Sequence, residues 1–288
     1  MITLENDYLK VSLNAKGAEL QGLYSKETEI EYLWNANPKY WAKHSPVLFP
    51  IVGSLKDDHF NYKGKSYELP RHGFARDHVF EIEKTSSAEA VFTLTQSDET
   101  RKVYPFHFKL KLIYKLIDRK LNLTYEVINT GNETLLFSIG AHPAFAVPNT
   151  PNTNYEDYYL AFNTDEKLTY WKLEDGLVAN ETGNIELDGH KLNLKHELFY
   201  NDALVFKNMQ SSCISLLNNK NDYGLHFHFE DFPFFGIWAA KDAPFICLEP
   251  WCGVADGVNH DHQLQRKEGI TSLAPGKNWE RFWEVECF

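Results

Sequence analysis

Residues 109–116 read KLKLIYKL and residues 121–127 read LNLTYEV, with Ile117-Asp-Arg119 between them. In the first run Leu110, Leu112, Tyr114 and Leu116 occupy every second position. In the second, Leu121, Leu123, Tyr125 and Val127 do the same. Successive side chains leave a strand on opposite sides, so a period of two marks a strand with one buried face. A short polar link between two such runs closes a hairpin. The pattern recurs at Val91–Thr95 (VFTLT), Ile214–Leu217 and Leu225–Phe229 (LHFHF). Turn chemistry at Asn14-Ala-Lys-Gly17, Tyr62-Lys-Gly64, Asn129-Thr-Gly131 and Leu187-Asp-Gly189 separates further apolar runs. Helical periodicity is confined to short pieces around Pro38–Trp41 and His196–Phe199. The fold class is therefore all-β, with two packed antiparallel sheets and few short helices.

The chain has 288 residues, of which 43% are apolar and 15% aromatic, enough to exclude disorder. The scaling of surface with mass gives a folded area of about 12,600 Å², about a quarter of that of the extended chain. The polar stretch Pro148–Asp157 has strand-like patterning on both sides and reads as a surface loop, leaving residues 1–288 as one domain. With 29 Lys and Arg against 40 Asp and Glu, the net charge is −11. That balance opposes binding to nucleic acid or to an anionic membrane, because both reward clustered cations. No apolar run reaches the roughly 18 residues of a membrane helix, and the N-terminus has no secretory pattern, so a cytoplasmic protein is expected. Cys213, Cys247, Cys252 and Cys287 read as free thiols. The spacing of Cys247 and Cys252 fits neither a redox pair nor a zinc knuckle.

Three segments depart from simple strand patterning: Leu69-Pro-Arg-His-Gly-Phe-Ala-Arg76, Ser138-Ile-Gly-Ala-His-Pro-Ala-Phe145 and Phe245-Ile-Cys-Leu-Glu-Pro-Trp-Cys-Gly253. Together they hold two imidazoles and a carboxyl, the groups of an acid and a base. Taken singly, His72 and His142 read more readily as surface turn histidines bonded to a carbonyl than as catalytic groups. Alternation puts Cys247 and Glu249 on one strand face, where Glu249 meets either water or a cleft that raises its pKa. His226, His228 and Glu230 share a strand face, and His260-Asp-His262 offers two more ligands. A strand that buries Leu225, Phe227 and Phe229 must still show polar groups outside, so no metal is expected there. Two carboxylates placed for glycoside hydrolysis are not apparent.

The three segments, with Gly17-Ala-Glu-Leu20, Leu48-Phe-Pro-Ile-Val-Gly53, Asn201-Asp-Ala-Leu-Val-Phe206 and Leu273-Ala-Pro-Gly276, follow the order found in aldose 1-epimerases. Over nearly its whole length the chain resembles that galactose mutarotase family, and most closely its LacX-like branch. The resemblance implies a large antiparallel β-sandwich of the galactose mutarotase type, no cofactor, and interconversion of the α and β anomers of a small-molecule sugar by a monomer or homodimer. It implies His142 as the acid that protonates the ring oxygen and Glu249 as the base that takes the C1 hydroxyl proton. His72 corresponds to a histidine beside the ring oxygen, and Asp202 to an acidic residue that binds hydroxyls. Trp251 and Trp238 are candidates to stack on a pyranose, with a role as core aromatics the alternative for each. Relatives commonly carry an arginine after the Gly53 position, where this chain has Ser54. Arg76, and after it Arg71, are candidates to replace it, which bears on whether the sugar is neutral or a 6-phosphate; with the arginine lost, a neutral hexose is the expectation. A carbohydrate-binding protein without turnover is the alternative on the same fold.

Overall fold

The hairpin at residues 109–127 lies within the largest sheet. In the computed structural model, which describes residues Met1–Phe288, strands Phe108–Ile117 and Lys120–Asn129 pair antiparallel, Leu110 opposite Val127 and Leu116 opposite Leu121. Both strands bury alternate residues. Nine strands form this sheet, in the order Lys191–Asn193, Tyr158–Phe162, Cys213–Asn218, Leu225–His228, Asn278–Cys287, Lys120–Asn129, Phe108–Ile117, Glu89–Thr95 and Glu81–Lys84. A seven-stranded sheet faces it. Its order is Ile139–Gly140, Phe245–Cys252, Phe234–Trp238, Leu204–Lys207, Lys167–Glu174 and Leu177–Glu186, with Ala144–Ala146 also paired to Phe245–Cys252. Every strand pairing in the two sheets is antiparallel.

Aromatic rings hold the two layers together. Phe229 of the large-sheet side lies 4.3 Å from Phe235 of the other sheet, and Phe227 lies 5.8 Å from Phe145, as ring centroids. These contacts belong to a cluster of 72 buried residues that runs through both sheets and into an N-terminal sheet of Ile2–Glu5, Leu9–Leu13, Leu20–Ser25 and Ile30–Glu31. Tyr114 Oη ties the large sheet to the N-terminal one by donating to the Ala18 carbonyl at 2.8 Å. Strands hold 48% of the residues and helices 8%, so the all-β expectation stands. The exposed area, 12629 Å², agrees with the value expected from mass alone. No helix is long and apolar enough to cross a membrane.

Local expectations fared unevenly. All five turns separate strands. Pro38–Trp41 forms turns instead of a helix, and His196–Phe199 is a single 3-10 turn. The one α-helix, Asp98–Val103, went unread because six residues are too few to show a period. Its start is set by Ser97, whose Oγ accepts from Thr100 N–H at 3.2 Å while Thr100 Oγ1 accepts from Ser97 N–H at 2.8 Å. The Pro148–Asp157 loop exposes Pro151 and Asn152, yet it is anchored by buried Thr150 and Thr153. Both hydroxyls lie 3.0 Å from Tyr158 Oη.

One buried ion pair fixes the segments that surround the eventual site. Lys267 Nζ meets Asp256 Oδ1 at 2.8 Å with neither side chain exposed. Asp256 Oδ2 also accepts from Lys56 N–H at 3.0 Å, and the Asp256 backbone bonds to Ser54 and to Val178. The pair thereby joins the loop after Gly53, the strand Leu177–Glu186 and the chain that follows Phe245–Cys252. Replacing one partner of such a pair strands a charge in the interior, which costs about 3–5 kcal/mol. Lys267→Met is expected to lose that much stability in urea unfolding, and Lys267→Met with Asp256→Asn to recover part of it.

Candidate active site

Register sets the central pair. The ladder that places Gly140 opposite Trp251 and Ala144 opposite Cys247 puts His142 directly opposite Glu249. Residues 141–143 interrupt that edge as strands, but Ala141 N–H still donates to the Pro250 carbonyl at 3.0 Å. Directly opposed side chains on one sheet face are near neighbours. Here His142 Nε2 and Glu249 Oε2 lie 3.3 Å apart, with Glu249 only 2% exposed. Strand Phe245–Cys252 is buried on both faces, so alternation there does not separate a wet side from a dry one.

The pair forms one wall of a cleft of about 290 Å³. All eight side chains singled out in the sequence line it: His142, Glu249, His72, Asp202, Arg71, Arg76, Trp238 and Trp251. They come from distant parts of the chain. Arg71, His72 and Arg76 lie on the segment after strand Lys65–Glu68, held by His72 N–H donating to the Gly53 carbonyl at 2.9 Å. Asp202 precedes strand Leu204–Lys207, and its Oδ1 accepts from Ala203 N–H at 2.7 Å.

Trp251 owes its place to two glycines. A β-carbon at Gly140 would stand 2.4 Å from Trp251 Cδ1, and one at Gly236 would stand 2.5 Å from Trp251 Cη2. Only glycine lets the indole lie across its neighbours. Its Nε1 donates to the Ala141 carbonyl at 3.2 Å, and the ring packs in a small apolar cluster with Val205 and Val254. Trp251 is thus both core and cleft wall. Trp238 stands edge-on to His142, with ring centroids 5.7 Å apart.

Trp41 also lines the cleft, and no motif in the sequence points to it. Its ring stacks on His142 at 4.8 Å and meets Trp238 edge-on at 5.6 Å, so the imidazole is boxed by two indoles. The available signal was an aromatic pair, Tyr40-Trp41, within the polar stretch Asn35–His44. Leu173 and Gly176 were missed as well. They bring the hairpin Lys167–Glu174/Leu177–Glu186 to the cleft, where a β-carbon on Gly176 would come within 3.2 Å of Ser54 Oγ. The hairpin tip occupies the space beside Ser54.

Burial governs the charges. It holds the His142 imidazole far below its usual value, at about 3, aided by Arg71. It pushes the Glu249 carboxyl well above the usual carboxylate range, and Asp202 across the cleft adds to the rise. Burial, followed by the neighbouring His142, also keeps His72 well below its usual value and neutral. Gly53 N–H points at His72 Nδ1 at 3.1 Å and Arg71 Nε at His72 Nε2 at 3.3 Å. A neutral imidazole accepts at only one nitrogen. The backbone donor is fixed, so Nδ1 accepts and Nε2–H is left as a donor, a tautomer that requires the Arg71 Nε contact to give way.

The other titratable clusters do not join this site. His226 and His228 lie opposite Glu286 and Glu284 on the large sheet. Lys120 binds Glu284 at 2.9 Å and Ser215 Oγ meets His226 Nδ1 at 2.7 Å. His260 and His262 lie instead beside Asp256 and Asp57.

The fold is a large antiparallel β-sandwich, and the family it belongs to is shown by its relatives. The aldose 1-epimerase family profile matches residues 1–285, and the chain belongs to that family. The protein LacX (chromosomal) of Lactococcus lactis is 33% identical over 99% of this chain and 98% of its own. A galactose mutarotase related enzyme from Lactobacillus acidophilus superposes with a TM-score of 0.95 at 36% identity, covering 100% of this chain and 97% of that one. A galactose mutarotase-like protein from Lactobacillus casei gives 0.92 at 31%, covering all of both chains. Membership implies an isomerase of the epimerase type.

The raised Glu249 pKa has a consequence for stability. A group whose folded pKa exceeds its unfolded value contributes stability fully below the unfolded value and loses it as pH rises towards the folded one. Glutamine mimics the neutral form at every pH. Glu249→Gln should therefore raise Tm at pH 7–8, by about 2–4 °C for each kcal/mol recovered. The gap to wild type should close below the ordinary carboxylate value of 4.5. Thermal melts across that range test the sign; a variant less stable at pH 8 than at pH 4, relative to wild type, contradicts it.

Proposed function

We propose that the protein interconverts the α and β anomers of an aldose by acid–base ring opening and closure at His142 and Glu249. The observation that carries this reading is the buried 3.3 Å contact between an imidazole and a carboxyl at the wall of a cleft of sugar size. Burial opposes charge on both groups, lowering the imidazole and raising the carboxyl, and in this reading the pair shares one proton. Ring opening only relocates that proton. Glu249 as carboxylate takes the proton of the C1 hydroxyl while His142 as imidazolium gives one to the ring oxygen. The C1–O5 bond breaks and an aldehyde forms. After rotation about C1–C2 the O5 hydroxyl attacks the other face of the carbonyl. His142 recovers its proton and Glu249 returns the other to O1. His72 Nε2–H donates to the oxygens at the reacting carbon, and Asp202 accepts from hydroxyls further round the ring. Trp41, Trp238 and Trp251 supply apolar wall and exclude water.

A second reading concerns the substrate. Arg71 makes no ion pair with a carboxylate, whereas Arg76 Nε lies 3.8 Å from Asp77 Oδ2 and its Nη2 donates to the Arg71 carbonyl at 2.8 Å. A guanidinium without a carboxylate at the cleft, as Arg71 is, favours a sugar carrying an anion such as a 6-phosphate.

Polarimetry or NMR exchange of α-D-glucose, α-D-galactose and their 6-phosphates tests both readings. Glu249→Gln and His142→Asn should each lower kcat about 10²–10⁴-fold. Binding without acceleration by wild type would leave a carbohydrate-binding protein instead. Arg71→Ala should raise KM for a 6-phosphate and leave KM for the free sugar unchanged, whatever it does to kcat on both; an equal change of KM for the two would exclude the phosphate.

The pH profile follows from the same pair. Unperturbed groups, with values of 4.5 and 6.5, would hold a single proton only within that interval. Here one value is depressed and the other raised, so kcat/KM should stay flat through neutrality and show no acid limb near 6.5. A bell centred between 4.5 and 6.5 would contradict the assignment.

A further inference from the structure

Cys247 stands two residues before Glu249 on the same strand face and opposite Ala144, one step diagonally from His142. The proton-transfer scheme has no use for it. Yet one donor atom from each of His142, Cys247 and Glu249 lies within 4.8 Å of the other two. Glu249 Oε2 and His142 Nδ1 are buried without a hydrogen-bond partner. We propose that these three side chains form an inhibitory zinc(II) site at the wall of the cleft, with the fourth position open to water or a sugar hydroxyl.

The donor set is one nitrogen, one sulfur and one oxygen, which suits a borderline-soft, tetrahedral dication. Bond lengths of about 2.0–2.3 Å put tetrahedral ligands about 3.3–3.6 Å apart, so closure asks for about an ångström of side-chain movement. Charge makes the exchange feasible in so dry a place. The thiol holds one proton and the His142–Glu249 pair holds another. Zinc displaces both, leaving Zn²⁺, thiolate, carboxylate and neutral imidazole, a set with no net charge, as before. A lone dication or a lone thiolate would meet the full penalty of burial; the exchange of two protons for one dication does not. Zinc bound there takes the ligand electron pairs that proton transfer needs, so it inhibits, a consequence that rests on the function proposed above. The binding itself does not rest on it.

The test keeps the two apart. Metal-free protein is titrated with Co²⁺ as a spectroscopic probe and then with Zn²⁺. The expected result is one ion per chain, a near-ultraviolet thiolate-to-cobalt band, displacement by zinc, and two protons released per zinc by calorimetry in buffers of different ionisation enthalpy. Cys247→Ala should abolish the band. It should weaken zinc by at least the 10–100-fold that even an outer-shell partner is worth. Cys247→Ser serves the same purpose if the alanine variant folds poorly. Neither serine nor alanine gives a thiolate band. If wild type accelerates mutarotation, zinc should silence it at concentrations that leave Cys247→Ala active. A cobalt spectrum without the thiolate band, or one unchanged in Cys247→Ala, overturns the site whether or not the protein turns over sugar. Equal zinc sensitivity of the two active proteins overturns the inhibition.

Discussion

A carboxyl buried to 2% exposure, opposite an imidazole at 3.3 Å, is the constraint around which the site is arranged. Placing an ionisable group in a strand covered on both faces is unfavourable unless the backbone around it is fully paired. Phe245–Cys252 meets that condition, with Phe234–Trp238 on one side and the interrupted edge Ile139–Gly140 and Ala144–Ala146 on the other. The interruption matters. Between the two short strands, Ala141–Pro143 leave the regular ladder and His142 faces the cleft instead of packing in a sandwich interior. The sheet therefore supplies a rigid carboxyl, and a break in its edge supplies the imidazole.

Two further arrangements protect that constraint. Trp41 and Trp238 enclose the imidazole, which keeps water from relieving the burial that lowers its pKa. Behind the cleft, the Asp256–Lys267 pair fixes the segments that bear Ser54 and Val178. A buried ion pair adds little net stability over a packed apolar isostere. Its value here lies in geometry, since Asp256 bonds to segments some two hundred residues apart in sequence through the backbone of Ser54 and the N–H of Lys56.

What the sequence revealed and what it concealed divide along physical lines. The five strands legible in the sequence all belong to the large sheet and each buries alternate residues, as Phe108–Ile117 and Lys120–Asn129 show, whereas its edge strand Glu81–Lys84, exposed throughout, carries no such signal. The hairpin Lys167–Glu186 was not legible, because its residues are mostly exposed or half-buried and carry no clear period. Glu249 could be found by its oddity in an apolar run, whereas its opposition to His142 depends on a register that joins residues a hundred positions apart. Trp41 had no motif at all; stacking on His142 is purely tertiary. Cys247 was weighed against Cys252, its neighbour in sequence, and the structure instead sets it beside His142 and Glu249. Spacing along the chain finds local ligand pairs, and sheet register makes the others.

The proposed anomer exchange asks the pair to relocate one proton between its two members. At 3.3 Å the charge-separated form of the pair is favoured by mutual attraction of about 5 kcal/mol at an effective dielectric constant near 20. Burial opposes each charge singly. The two effects act in opposite directions on the same proton, bringing the neutral and charge-separated tautomers closer in energy than either effect alone would allow. In the proposed reaction ring opening would convert one tautomer to the other and reclosure would convert it back, so a near-balance between them would keep either step from falling into a deep well. Arg71 acts on the two members of the pair in opposite senses. Its charge stabilises the Glu249 carboxylate and opposes the His142 imidazolium, so an anion drawn to Arg71 would favour the protonated imidazole and disfavour the carboxylate. The two effects offset each other within the charge-separated form, and the pair keeps its near-balance whether or not that guanidinium is neutralised.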